Sequence, residues 1–194
     1  MKILTILVGW LLIVPHTIHA QDIKPYSDFP ITISVNFHAF TLPFRDLKTN
    51  FRNIGIGIGT EVSLNSSATW VQQVGVVWYH NQALGNGLLF STQNVWRPTF
   101  GSNGYGEVKG GVGYLQSFLP TKGFRMTNGT WQETSRKGKG MFCVPLGIGA
   151  GYDIRQSQSM ISPFINYQFI AVTGYNTSIP VVPNTLIQVG SRIH

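Results

Sequence analysis

Five charged residues interrupt stretches that otherwise alternate an apolar residue with a glycine or a polar one: Glu61, Arg97, Glu107, Lys109 and Arg192. Two carboxylates among three cations have two available chemistries. They can neutralise one another as a structural salt-bridge network, or line a narrow path for an ion or proton. Burial would force pairing in either case, because an isolated buried charge is costly. The other reactive types are sparse. His38 and His80 have no acidic, histidine or cysteine neighbours at ligand spacing, so no metal site is expected. His38 reads as a hydrogen-bonding group inside the fold and His80 as a residue near a rim. Cys143 is the only cysteine, which excludes an intramolecular disulfide.

Enzymatic readings find little support. A hydrolase needs a nucleophile within reach of a base. No Ser-x-His or His-x-Ser pair falls on a strand-like segment, so no catalytic residue is assigned. Gly55-Ile56-Gly57-Ile58-Gly59 and Gly147–Gly151 lack the following helix and the Lys-Ser/Thr that a phosphate cradle requires. No cofactor is expected.

The elements that would position the five charges are strands. In 53–64, Ile54, Ile56, Ile58, Val62 and Leu64 share one face, and Gly55, Gly57, Gly59, Glu61 and Ser63 share the other. Similar two-faced segments occur near 31–42, 52–64, 69–80, 86–99, 104–118, 141–153, 159–172 and 184–194. A soluble sheet buries its apolar face against large side chains. Here the opposite face is glycine and charge, the pattern of a transmembrane β-barrel that is apolar toward lipid and small or polar toward its lumen. Trp70 and Trp78 are eight residues apart on one face. At about 3.4 Å per residue and a tilt near 40°, they span roughly 20 Å of height, the separation of two aromatic belts. Pro145 and Pro163 fall inside strands, where proline normally marks an edge or a bulge.

The expected fold is all-β, an eight-stranded antiparallel up-and-down transmembrane barrel over residues 31–194. Short periplasmic turns are expected near 65–68, 100–103 and 154–158. External connections are expected near 43–51, 81–85, 119–140 and 173–183. The inward face is expected to be small, polar and charged, unlike the apolar interior of a lipocalin.

Residues 1–20 hold Lys2, an apolar run from Ile3 to Val14 and a final Ala20. That is the plan of a cleavable signal peptide, followed by a short periplasmic segment at 21–30. Its removal takes away one lysine and no acid, and lowers the formal net charge from +7 to +6. Only 11% of the chain is charged. In a secreted strand-rich chain, a basic balance points to anionic lipid rather than nucleic acid. The 119–140 connection gathers Lys122, Arg125, Arg136, Lys137 and Lys139 around Trp131, with Glu133 the single acid. These residues are candidates for lipopolysaccharide phosphates or an unknown protein partner.

Three stretches carry a resemblance: Phe37–Arg45, Pro145–Asp153 and Ile179–Gly190. Together they resemble the small outer-membrane β-barrel proteins of the Bacteroidota type. The resemblance implies an outer-membrane barrel handled by the barrel-assembly machinery of a Gram-negative envelope, and no agreed biochemical activity. Such barrels end in an aromatic residue, whereas this sequence ends Ser191-Arg192-Ile193-His194. If that assembly signal is deficient, adding Phe after His194 should raise membrane yield. The sequence reading is therefore a non-enzymatic, porin-like barrel with a filled lumen and a structural or surface-interaction role. The alternatives are a narrow pore, a lipid-modifying enzyme and a soluble secreted β protein.

Overall fold

The computed structural model describes residues 29–44, 47–82, 85–120, 124–127, 129–133, 137–153, 161–175 and 180–194. Eight long strands dominate it: β1 (Ile31–Ala39), β2 (Ile54–Ser63), β3 (Trp70–Asn81), β4 (Gly85–Trp96), β5 (Gly104–Phe118), β6 (Lys137–Tyr152), β7 (Ile161–Thr173) and β8 (Val181–Ile193). Each pairs antiparallel with its sequence neighbours, and β1 pairs with β8, so the sheet closes into an up-and-down barrel. Among the described residues no helix is long and apolar enough to cross a membrane.

The ladders fix the tilt. The row leaving Ala39 passes Thr185, Phe169, Leu146, Gly110, Asn94, Gln72 and Val62. Extending the β1–β2 register, it meets the chain again at Phe29, ten residues back. An offset of this size in eight strands demands a strong tilt, about 35–45°. It also brings residues distant in sequence to one level of the lumen.

The strands begin and end within a few residues of the sequence expectation, with three corrections. β1 stops at Ala39, three residues before the expected end. β6 starts at Lys137 and β8 at Val181, so both run further toward the loop end than expected. The 119–140 connection accordingly shrinks, and part of it is a small hairpin, Phe124–Thr127 paired with Thr130–Glu133. The expected turn at 154–158 lies outside the described residues.

The prolines sit where a ladder is missing on one side. The β5–β6 register lapses between Gly110↔Leu146 and Gly113↔Cys143, which brackets Pro145. Pro163 pairs with Ser191, while the β6–β7 ladder begins only at Phe164. Pro183 pairs with Ala171 and lies beyond the last β1–β8 pair. A residue without an N–H is tolerated at such places.

Candidate functional site: the filled lumen

Alternation sends every second side chain inward. The end of the barrel where β1 begins and β8 finishes holds the charges. Glu61 is on β2, Glu107 and Lys109 on β5, Arg192 on β8, and Arg97 follows β4. All five are at most 4% exposed.

Arg97 grips Glu61 with both terminal nitrogens, Nη1 to Oε1 at 2.9 Å and Nη2 to Oε2 at 2.8 Å. Its Nε donates to Glu107 Oε1 at 2.8 Å. Arg192 Nη2 donates to the same Glu107 oxygen and Nη1 to the Tyr105 hydroxyl. Arg192 Nε lies 2.9 Å from Glu61 Oε1, an ion pair without hydrogen-bond alignment. Each carboxylate therefore bridges both arginines. The Tyr105 ring lies 5.3 Å from the Arg97 guanidinium carbon and 4.9 Å from that of Arg192, and Phe164 lies 5.4 Å from the latter. Both distances to Tyr105 are within reach of a cation–π attraction.

Lys109 is less well served by charge. Its Nζ is 3.9 Å from Glu107 Oε2 and 3.4 Å from Gln73 Oε1. Asn166 closes the gap when its amide oxygen faces Lys109 at 2.8 Å and its nitrogen faces Glu107 Oε2 at 3.2 Å, the orientation that satisfies both ends.

The opposite half of the lumen is apolar. Val77, Tyr79, Leu89, Leu115, Met141, Cys143, Ile170, Val172, Val182 and Leu186 form one buried cluster. This overturns the expectation of a small, polar and charged interior throughout. The strands are longer than the charge cluster needs, and their loop-side inward positions carry large apolar residues. A polar rim borders this plug. His38 Nε2 meets Asn184 Oδ1 at 3.1 Å, Asn81 donates to its Nδ1 at 3.2 Å, and its ring stacks on Tyr79 at 3.8 Å.

Between the halves is a cavity lined by Ser34, Gln73, Gln93, Asn166, Gln168 and Gln188 among others. Gln93 Oε1 has no protein partner there.

The inward glycines seat these side chains. A Cβ on Gly149 would meet Asn166 Cγ at 2.8 Å, one on Gly190 would meet Phe164 Cζ at 2.9 Å, and one on Gly113 would meet Cys143 Sγ at 2.9 Å. The glycine face is thus space left for partners from adjacent strands.

The remaining candidates that the structure describes lie at the loop end. Trp131 is exposed on the small hairpin, and Lys139 is exposed on β6 with Nζ donating to Tyr175 O at 3.4 Å. The backbone of Arg125 is on the hairpin and that of Lys137 begins β6, but their side chains are not described. Lys122 and Arg136 lie outside the described residues. His80 is exposed, with Nδ1 at 2.6 Å from Asn86 Oδ1. Among the described residues no three His, Cys, Asp or Glu side chains are placed to hold a metal ion.

Sequence reasoning did not single out Tyr105, Asn166 and Gln73 as members of the charge cluster. Tyr105 shares the parity of Glu107, and extending that parity along each strand would have found it. The apolar plug had a signal too. Leu88-Leu89-Phe90, Tyr114-Leu115 and Phe169-Ile170-Ala171-Val172 break alternation, as strands do when buried on both faces.

No family model matches this chain, and no curated protein matches it in sequence. The resemblance to a Bacteroidota-type family therefore has no sequence match behind it. Solved structures do share the architecture. Neisserial surface protein A matches with a TM-score of 0.57 at 9% identity, over 85% of this chain and 96% of that one. Ail of Yersinia pestis matches at a TM-score of 0.47 and 10% identity, over 84% of this chain and 97% of that one. The N-terminal barrel domain of Pseudomonas aeruginosa OprF matches at 0.46 and 14%, over 86% of this chain and 98% of that one.

Proposed function

We propose that this chain is an integral outer-membrane barrel without enzymatic activity, whose lumen is plugged and whose loop end meets lipid and other surface molecules. One observation carries the reading: the barrel is inside-out relative to a soluble protein. Ile33, Ile56, Ile58, Val112 and Ile165 are 51–65% exposed, while Glu61, Glu107 and both arginines are at most 4% exposed. Water would reverse that arrangement, and a hydrocarbon surround requires it. Exposed aromatics flank the apolar zone: Trp70, Trp96 and Tyr152 toward the terminal end, and Trp78, Tyr114 and Phe142 toward the loop end. Gln72, an outward polar residue, is satisfied by Thr92 Oγ1 at 2.6 Å.

Charge supports the orientation. Read along the sequence, the loop-end connections and the first residues of β6 hold Arg45, Lys48, Arg52, Lys122, Arg125, Arg136, Lys137 and Lys139 against Asp46 and Glu133. That net +6 equals the charge of the whole chain after residue 20. Such an end suits the phosphates of an outer leaflet rich in lipopolysaccharide. Residues 1–20 act as the secretion signal in this reading, 21–30 remain periplasmic, and the barrel-assembly machinery inserts 31–194. A protein partner at the loops and the Bacteroidota-type affiliation belong to the same proposal, the latter on its three sequence stretches alone.

The test is fractionation followed by electrophoresis of unheated and boiled samples. An outer-membrane band that shifts on boiling is the expected result. A soluble band that does not shift would remove the membrane reading. Planar-bilayer recordings should show no steady conductance, since the charge network and the apolar plug close the lumen at two levels.

A further inference from the structure

The connection between β1 and β2 resembles an armature more than a surface loop. Asn50, fully buried, donates from Nδ2 to Phe37 O at 3.1 Å and Thr185 Oγ1 at 3.2 Å. Asn53 Nδ2 donates to His38 O at 3.0 Å, and the His38 N–H donates to Asn53 O at 3.0 Å. The other side of the connection is fixed on the outside of the barrel. The Phe44 ring stacks on Tyr167 of β7 at 4.6 Å, and its N–H donates to the Tyr167 hydroxyl at 3.0 Å. Phe44 has a φ of 59°, a region a bulky residue occupies only when its surroundings impose it.

What this anchored segment presents is apolar. Phe40 and Leu42 are each 49% exposed, Phe44 64% and Phe51 60%. They continue the outward belt through Phe37, which packs on Phe51 at 5.1 Å, and through Tyr167. Lys48 and Arg52 are exposed on the same connection. Large apolar groups beside cations, contiguous with a lipid-facing wall, match one surface: the border of acyl chains and anionic head groups.

We propose that the first connection is a lipid anchor, with Phe40, Leu42, Phe44 and Phe51 entering the outer leaflet and Lys48 and Arg52 meeting its phosphates. This rests on the membrane reading above. It adds a lipid contact apart from the basic 119–140 connection, and one held by structure.

Nitroxide labels test it. Cys143 is buried, and the unsubstituted chain provides the labelling blank. The full-length chain carries Leu42→Cys, Ile165→Cys on the apolar wall, or Ser66→Cys on a terminal-end turn, in phosphatidylcholine vesicles with and without lipopolysaccharide. Power saturation reads the access of oxygen against a water-soluble nickel chelate. The oxygen-to-nickel ratio at Leu42 is expected to be several-fold above that at Ser66 and near that at Ile165. Lipopolysaccharide should raise the Leu42 ratio, and Lys48→Gln with Arg52→Gln should abolish that increase. A Leu42 ratio equal to that of Ser66, with Ile165 still in lipid, would overturn the anchor and leave the barrel reading standing. No loss on removing the two cations would overturn the phosphate contact. An Ile165 ratio equal to that of Ser66 would defeat the membrane reading itself.

Discussion

The two halves of the lumen fill the same tube by opposite means. Toward the terminal end, two carboxylates, three cations and Tyr105 occupy it as one bonded network. Toward the loop end, ten mostly apolar side chains occupy it by packing alone. The difference teaches where specificity resides. A buried ion network tolerates no missing partner, because the charge left behind has lost both water and counter-charge. An apolar plug tolerates exchange as long as its volume is kept.

The sharpest way to break this comparison is Glu107→Gln. It strips a shared partner from Arg97, Arg192 and Lys109, and should cost about 3–5 kcal/mol in urea unfolding of the reconstituted barrel. A cost below about 1 kcal/mol would mean that the charges are not coupled. Leu186→Ala, at a fully buried position of the plug, should cost about 2–5 kcal/mol by the same measurement. Combining the two sharpens the comparison. If the halves are independent, their effects should add within about 0.5 kcal/mol, and a larger coupling would join them into one unit.

Gly149→Ala probes the space between strands in the charged half. The added methyl displaces Asn166 from between Glu107 and Lys109, for an expected loss of about 1–3 kcal/mol. The smallest effect is expected from Met141→Leu in the plug, under about 1.5 kcal/mol. Should Met141→Leu prove worse than Gly149→Ala, the plug would be the more exacting half.

Much of this was legible in the sequence. Alternation around Ile54–Leu64 and its repeats gave eight strands and their faces, because a strand's period of two is a local property. It also put Glu61, Glu107, Lys109 and Arg192 on inward positions. It did not give their pairing. Glu61 meets Arg192 across β1 only because β1 pairs with β8, which sets Thr32 opposite both Arg192 and Gly59, and it meets Arg97 through the successive registers of β2, β3 and β4. The apolar plug was misjudged for a related reason. The inward glycines suggested a small, polar interior, yet several are recesses for large side chains reaching across from other strands, as Gly87 is for the plug's Tyr79.

The residue order by itself determined that the chain makes two-faced strands, and that one face is fit for hydrocarbon and the other carries buried charge. Those properties depend on side-chain types two apart. Only the tertiary structure decided which inward groups meet, that the lumen divides into an ionic half and an apolar half, and that Phe44 is folded back onto Tyr167. Closure and shear set these contacts. Both are properties of the whole ring of strands, and no single strand encodes them.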